Sequence, residues 1–270
     1  MEVITAGEIA RRFPAFAVTP GMIGVFERSA GMLFPEACIG AYLGLARSLG
    51  ADVRVNTRVL GLSRSAGGII AETDAGPITA RSVVVCAGAW ARSLLASVGI
   101  EVPLDVTRQT MHWLEQSGDA GVRSPNSFPI VLVEHAVGRM FYAMPDTGDG
   151  VKVAIHHEGA VVMPEVVDRA IHPSDTEPVE GLAARFLPGV AGRIRESLVC
   201  LYTNTPDHDF VIDVADGMPN IVVISACSGH GFKFASAIGE VAAQLALGES
   251  SDVDLSQFRV SRFSAPPSVM

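Results

Sequence analysis

Two apolar runs that end in small residues constrain the fold of this 270-residue chain more than any other feature. "SVVVCAGAW" ends in Ala87, Gly88 and Ala89, and "IVVISA" leads into "CSGHGF". Both have the length of a buried strand, and strands of parallel sheets have this continuous apolar character. Small residues after a strand let another group approach its backbone closely. The first run therefore predicts a buried parallel strand whose carboxyl end is open to such an approach.

Successive strand-like segments fill the middle of the chain and predict an antiparallel sheet. They are separated by turn signals and are rich in β-branched and aromatic residues. A sheet built from them is large enough to form one wall of a cavity. The segments are "VTRQTMHWLE", "FPIVLVEH", "RMFYAMP" and "GVKVAIHH".

Helices and further strands flank this sheet along the chain. A Gly67–Gly68 turn separates the strand-like segments "ADVRVNTRVLGLSRS" and "GIIAETDAGPITA". Helices are predicted at "GEIARRF", "PEACIGAYLGLARSLG", "WARSLLASVG" and "VEGLAARFLP", and from Gly231 onward.

Together these elements predict an α/β plus antiparallel β fold. Its parts are an incomplete Rossmann-like layer of the nucleotide-binding type and an inserted antiparallel-sheet domain. The predicted boundaries assign residues 1–34 and 104–205 to the sheet domain. Residues 35–103 and 206–270 are assigned to the layer.

Composition and charge exclude several kinds of partner. The net charge of −9 and the lack of a Lys/Arg cluster argue against nucleic acid, and no apolar run is long enough to cross a membrane. The start, "MEVITAGEIARRF", lacks the basic beginning and apolar core of a signal peptide, so a cytoplasmic protein is expected. The four cysteines form no C-x-x-C pair, which predicts free thiols, and no metal site is expected.

A lysine opens the last predicted helix, where a cation is unfavourable. Lys233 follows Gly229 and Gly231 and lies between two phenylalanines. The positive end of the helix dipole disfavours a lysine, but glycines there let backbone N–H groups turn toward an anion. Two interpretations stay open: a glycine-rich turn whose lysine reaches water, or a cation and a helix end that face one anionic group.

Polar and apolar residues alternate in the last strand of the predicted sheet. In "GVKVAIHH", Lys152 and His156 fall on one face, which either lines a polar pocket or is exposed to water. In the preceding segment Tyr142 shares a face with two methionines, as core or as pocket. Cys200 and Tyr202 also share a strand face. The Cys200 thiol is expected to be reactive only if positive charge lowers its pKa and an electrophile is within reach.

Several of these segments together resemble a known family. "CLYTNTPDHDFVID" followed by "SGHGFKF" is similar to the monomeric sarcosine oxidase and N-methyltryptophan oxidase family of D-amino-acid-oxidase-like flavoproteins. The resemblance covers essentially the whole chain, and these two motifs are specific. Matching segments occur in the same order at "RRFPAF", "AGMLFPEACIGAYLGLARSLGA", "VVVCAGAWA" and "GVKVAIHH".

The resemblance implies a role for each matching position. Cys200 matches the cysteine that carries FAD through a thioether, and Lys233 matches the residue near the flavin that helps to hold the substrate carboxylate. Lys152 matches the lysine bonded through water near the flavin N5, where a cation promotes oxygen reduction. His156, Tyr142 and Tyr202 match pocket residues around the bound amine. The other implied cofactor positions are Val59, Ala87, Gly88, Ala89, Gly229, His230, Gly231 and Phe232.

The implied activity is FAD-dependent oxidation of a small secondary-amine amino acid by O2. A hydride equivalent leaves the N-methyl carbon, the imine hydrolyses to formaldehyde and the amino acid, and O2 is reduced to hydrogen peroxide. A carboxylate substrate and the charge of reduced flavin need a preorganised cation, which explains Lys233. A related flavin oxidase that acts on glycine, proline-type rings or sugar-modified amino acids stays an alternative.

The resemblance fails at the family's beginning. The family starts with a strand, a G-x-G-x-x-G turn and an acidic residue that ends the next strand, and this sequence contains none of them. A truncated chain is therefore expected, with inherited site residues, weak FAD binding and an exposed sheet edge that a second copy or a partner chain covers. Three explanations stay open: a fragment of a longer enzyme, a partner chain that supplies the rest, or a vestigial homologue that acts as an interaction domain.

Overall fold

The computed structural model describes residues 1–115, 126–190 and 192–263, and the chain divides into two compact units. The first unit contains Met1–Met32, Thr107–Val161 and Glu165–Leu201. The second contains Leu33–Val106, Val162–Pro164 and Tyr202–Met270. In the described ranges, no helix combines the length and the apolar character that crossing a bilayer requires.

The described residues form thirteen strands and five α-helices. The strands are β1 (Glu2–Thr5), β2 (Ile23–Phe26), β3 (Val59–Ser65), β4 (Gly68–Thr73), β5 (Ile78–Ala80), β6 (Val83–Val85), β7 (Asp105–Leu114), β8 (Val131–Ala136), β9 (Arg139–Met144), β10 (Val151–His156), β11 (Ile194–Asn204), β12 (Val211–Val214) and β13 (Ile221–Ser225). The helices are α1 (Ala6–Arg12), α2 (Pro35–Ser48), α3 (Ala91–Ala96), α4 (Pro173–Phe186) and α5 (Ala235–Leu247).

A five-stranded sheet in the order β11-β7-β10-β9-β8 forms the centre of the first unit. The pairs β7–β10, β10–β9 and β9–β8 are antiparallel. Val151 and Val153 of β10 are fully buried in one core with Val179 and Ala183 of α4. Helix α4 therefore covers one face of the sheet, and the antiparallel sheet predicted from the middle of the chain is confirmed.

Strand β13 is the middle strand of a three-stranded sheet, β12-β13-β6, in the second unit. It runs parallel to β6 and antiparallel to β12. Val223 packs with Leu95 of α3, whereas Val222 packs with Val241 of α5. Because helices cover both faces of β13, this unit is an α/β layer. Strands β3, β4 and β5, which precede β6 in the chain, form a separate antiparallel sheet. The predicted α/β plus antiparallel β fold is confirmed.

Two local predictions were wrong. Residues 51–58 do not form a strand, since Val55 is exposed and no neighbouring strand in the described part of the chain pairs with this segment. The helix predicted from "VEGLAARFLP" begins six residues earlier, at Pro173. There the Asp175 carboxylate accepts the backbone N–H of His172 at 2.9 Å, which caps the helix ahead of Pro178.

Candidate functional site

The predicted site residues of the first unit share the face of the sheet that lies opposite α4. Lys152 is paired with Trp113 on β7, and Ala154 is paired with Tyr142 on β9. Residues paired across a sheet point to the same side, and alternate residues of one strand do so too. Lys152, His156 and Tyr142 therefore point to one side, away from the core valines of β10.

Cys200 points to the same side of the sheet as Lys152. His112 is paired with the core residue Val153, and its Nδ1 lies 2.7 Å from Ser197 Oγ, which places Ser197 on the α4 face. Cys200, three residues further along β11, faces the other way by alternation. The Lys152 ammonium also interacts electrostatically with the thiol. The structure thus brings together two residues that are far apart in the sequence.

Burial and positive charge have opposite effects on this thiol. Burial raises the pKa of Cys200, and the charges of Lys152 and Arg169 oppose this rise. Arg169 Nη1 donates to the carbonyl oxygen of Val199 at 3.3 Å, directly beside the cysteine. The positive environment that a reactive cysteine needs is therefore present, although burial has the larger effect on the pKa of this thiol.

Lysine content singles out two of the predicted positions. Of 20 basic residues only two are lysines, Lys152 and Lys233, and the rest are arginines. Among the residues that the structure describes, neither ammonium pairs with a carboxylate. Lys152 Nζ instead lies 5.1 Å from the centre of the Trp113 ring, and Lys233 Nζ lies 5.2 Å from that of Phe234. A count of lysines could have identified both residues from the sequence.

Two parallel strands of the second unit end beside each other. Since β6 and β13 are parallel neighbours, Ala87–Ala89 and the loop after Ser225 emerge at the same edge of the sheet. Ligands of α/β layers bind outside this edge. Gly88 and Gly229 have φ angles of +52° and +74°, and a side chain at Gly88 would meet nothing within 4 Å. Gly88 therefore borders open space that a ligand can enter.

The loop after β13 is held in place by its own backbone and by two buried hydroxyl residues. Ser228 N donates to Thr203 O at 2.9 Å, and Thr205 N donates to Ser228 Oγ at 3.4 Å. Gly231 passes so near to Ala226 that an added Cβ would lie 1.7 Å from the carbonyl oxygen of Ala226. This turn therefore requires a glycine at position 231, independently of any ligand.

Lys233 precedes α5 and does not lie in the first turn of this helix. It belongs to a 3-10 turn, Phe232–Phe234, and α5 begins only at Ala235. The prediction that Lys233 occupies the first turn of the α-helix was therefore wrong. The unfavourable effect of the helix dipole on this cation falls with distance from the first turn of α5, so the position is less costly than expected.

The remaining predicted positions lie mainly in the second unit. The His230 ring is 4.8 Å from that of Phe210, and His230 Nε2 lies 3.0 Å from the carbonyl oxygen of His208. Phe232 is 36% exposed, and Val59, at the start of β3, is 42% exposed. Tyr202 follows Cys200 by two residues on β11. The roles assigned to these residues stay predictions.

The four cysteines are free, and two of them lie near each other. Cys86 follows β6 and Cys227 follows β13. Burial raises the pKa of both thiols, and Cys227 contributes to the rise at Cys86. Within the described residues, no cluster of histidine, cysteine and acidic side chains could hold a metal ion.

A cavity of about 510 Å³ lies in the first unit and contains none of the predicted site residues. Its charged side chains are paired with each other. Arg108 Nη1 lies 2.7 Å from Asp175 Oδ1, and Glu158 is bonded to both Arg139 and His135. These pairs connect β7 to α4 and the end of β10 to its neighbours, so they stabilise the fold.

The fold and the two groups of residues define a class of protein: this chain belongs to the FAD-dependent oxidoreductase family, which it matches over residues 1–245. It is 34% identical over 265 residues to the monomeric sarcosine oxidase of Bacillus sp. (strain B-0618), covering 97% of this chain and 67% of that protein. It is 35% identical over 265 residues to N-methyl-L-tryptophan oxidase of Escherichia coli (strain K12), covering 97% and 69%. The family resemblance stated from the sequence is confirmed.

A solved structure shows that the fold is shared across the described chain. L-proline dehydrogenase from P. horikoshii has a TM-score of 0.82 at 21% sequence identity, covering 97% of this chain and 68% of that one. The chain thus spans about two thirds of the length of the proteins it matches.

Proposed function

We propose that this chain performs the FAD-dependent oxidation of a small secondary-amine amino acid, with O2 as electron acceptor. The N-methyl carbon is oxidised to formaldehyde, water supplies its oxygen, and O2 takes the two electrons and two protons to become hydrogen peroxide. The names of two relatives, a sarcosine oxidase and an N-methyl-L-tryptophan oxidase, support this substrate class.

The observation that carries the proposal is the pair of lysines without carboxylate partners. Arg108 is neutralised by Asp175 at 2.7 Å, so it offers little attraction to an anion. Lys152 and Lys233 form no such pair with any described residue, and each retains its charge for a ligand. A preorganised cation stabilises an anionic group strongly once a bound ligand excludes water from it. Lys233 would bind the substrate carboxylate, and Lys152 would stabilise the negative charge that develops on oxygen.

Each unit contains residues that fit a role toward FAD. The open space beside Gly88 admits a ligand at the carboxyl end of β6, next to that of β13. Cys200 would hold the cofactor through a thioether, and the charges of Lys152 and Arg169 would favour the thiolate that forms this bond. When bound, FAD supplies the two-electron chemistry between the amine and O2. Tyr142, His156 and Tyr202 would line the pocket around the amine.

A substrate panel tests the proposal. The FAD-loaded protein is given N-methylglycine, N-methyl-L-tryptophan, glycine, L-proline and a glycated amino acid, and both formaldehyde and peroxide are measured. We expect equal amounts of the two products from an N-methyl amino acid. Peroxide without formaldehyde would indicate one of the related amine oxidases instead.

A variant pair tests the carboxylate contact. Lys233→Met removes a charge-assisted bond worth about 1.5–3 kcal/mol, so KM for the amino acid should rise about tenfold or more. Lys233→Arg keeps the charge and should restore part of the affinity. An unchanged KM in Lys233→Met would contradict the role of Lys233.

Denaturation tests the covalent bond. The flavin absorbance should stay with the unfolded parent protein and with a Cys227→Ser control, and it should separate from Cys200→Ser. Flavin that remains attached to unfolded Cys200→Ser would show that another residue carries it.

A second candidate function, that of an interaction domain without flavin activity, is favoured by an apolar surface of the second unit. Helix α2 has no buried residue, and Ile39, Tyr42 and Leu45 are 48%, 50% and 60% exposed. Strand β6 lies at the edge of its sheet among the described strands, and an open edge can pair with another strand. We propose that a second copy or a partner chain covers this surface.

Light scattering separates the two functions. A dimer that forms no peroxide and dissociates in Leu45→Glu would support the interaction domain. The matched control is Leu247→Glu, at the end of α5, where the leucine is 73% exposed, and this variant should leave the mass unchanged. A monomer that forms peroxide would contradict it.

A further inference from the structure

The contact between Lys152 and Trp113 distinguishes this lysine from Arg108 and Arg139 of the same sheet. These two residues are paired across β10 and β7, and Lys152 Nζ lies 5.1 Å from the centre of the indole ring. Arg108 and Arg139 are instead paired with the carboxylates of Asp175 and Glu158. Among the described residues of this sheet, Lys152 is thus the cation that contacts an aromatic ring from the neighbouring strand.

An aromatic partner and a carboxylate partner have different consequences for a lysine. A lysine side chain is flexible and loses rotamer entropy when it is fixed in one position. Both kinds of partner can fix it, but a carboxylate also neutralises its charge. The face of an indole attracts the ammonium through its quadrupole and leaves the net charge at +1. The ring therefore orients the cation and preserves its attraction for an anion.

We propose that Trp113 is a positioning residue that holds the Lys152 ammonium in place for the reaction with O2. This inference rests on the proposed function, in which Lys152 stabilises negative charge on oxygen. Trp113 itself takes no part in proton or electron transfer. It fixes where the positive charge lies on the face of the sheet that also carries Cys200, His156 and Tyr142.

The small number of lysines makes the contact directly measurable. Reductive methylation with 13C-formaldehyde labels Lys152, Lys233 and the terminal amine, and a Lys233→Arg background leaves one lysine signal. The indole ring current should shift the methyl protons on Lys152 upfield. Trp113→Leu should abolish the shift, Trp113→Phe should keep part of it, and Trp90→Phe, which changes the other tryptophan, should keep all of it. A Lys152 signal that is identical in the parent and in Trp113→Leu would overturn the proposal.

Half-reaction kinetics test the consequence for the FAD-loaded protein. A cation–π contact contributes about 0.5–2 kcal/mol, so Trp113→Leu should slow reoxidation by O2 about twofold to thirtyfold. Anaerobic reduction by the amine should change less than the reoxidation does. Trp113→Phe should recover most of the O2 reactivity, because a smaller ring still faces the ammonium. Equal losses in both half-reactions, with no recovery by phenylalanine, would show a merely structural role and overturn the proposal.

The two measurements separate this inference from the function on which it rests. If Lys152→Met leaves reoxidation unchanged, the assigned role of Lys152 fails, and the proposed role of Trp113 in the O2 reaction fails with it. The methyl shift then still reports whether the indole holds the ammonium. If Lys152→Met slows reoxidation but Trp113→Leu does not, only the positioning role of Trp113 is refuted.

Discussion

Gly231 offers the sharpest test of the loop that follows β13. In Gly231→Ala the new Cβ would lie 1.7 Å from the carbonyl oxygen and 2.6 Å from the carbonyl carbon of Ala226. Both are backbone atoms, so no side-chain rotation can relieve the clash and the loop itself must shift. Overpacking usually costs about 1–3 kcal/mol, and a rigid obstacle places this variant at or above the upper limit. We expect the free energy of unfolding to fall by about 3 kcal/mol or more, which lowers Tm by about 6–12 °C.

Two other glycines serve as matched controls for this variant. Gly239 lies inside α5 with nothing within 4 Å of an added Cβ, so Gly239→Ala should raise stability by up to about 1 kcal/mol. Gly248, which ends α5, also has open space but has a φ of +76°, so Gly248→Ala should cost only about 1–2 kcal/mol of backbone strain.

Urea unfolding followed by circular dichroism gives the stability of all three variants. FAD affinity should fall most in Gly231→Ala, because the displaced loop carries predicted cofactor positions. A Gly231→Ala protein within about 0.5 kcal/mol of the parent would refute the close approach to Ala226, since surface substitutions without such a contact lie in that range.

Three further predictions concern charges of the first unit. Arg108→Met should lower the free energy of unfolding by about 2–4 kcal/mol, because it leaves the mostly buried Asp175 carboxylate without its partner. As a control, Arg193→Met removes an exposed pair with Glu115 and should change the free energy of unfolding by under about 1 kcal/mol. Arg108 lowers the pKa of Asp175 below its ordinary value, so the ionised carboxylate stabilises the fold above the unfolded-state pKa and stops doing so as the pH falls through the folded-state pKa. Asp175→Asn should therefore flatten the acid unfolding curve below about pH 4. An unchanged curve would contradict the pairing. Lys152→Met should raise the pKa of Cys200 further and slow its alkylation by iodoacetamide, with the rate at Cys227 as internal control; equal rates at Cys200 would show that the ammonium does not act on the thiol.

Periodicity was enough to predict which residues of β10 face the core. The pattern of "GVKVAIHH" placed Lys152 and His156 opposite the valines, because strand alternation depends only on local backbone geometry. The parallel strand β6 was also predictable, since its apolar run and its small-residue end are both local features. The proximity of Cys200 to Lys152 was not predictable from residue spacing. It depends on the order β11-β7-β10, which places a strand from elsewhere in the chain between them.

The errors came from contacts that the local sequence does not contain. The beginning of α4 was missed because the helix is capped six residues before the predicted segment by Asp175, and Asp175 is itself held by Arg108 on β7. Trp113 was overlooked as a functional candidate because its position opposite Lys152 depends on the register between β7 and β10. Both examples show tertiary pairing overriding a local signal.

Each unit is assembled from three separated stretches of the chain, and this affects how the protein forms during synthesis. Val83–Val85 leaves the ribosome long before β13, the one described strand with which it pairs, has been made. Folding that depends on such distant contacts is slow, and unpaired apolar strands are prone to aggregation. Any pause in translation between residues 107 and 201 would prolong this exposure. Yield should therefore depend on chaperone supply more strongly than the stability of the finished protein suggests.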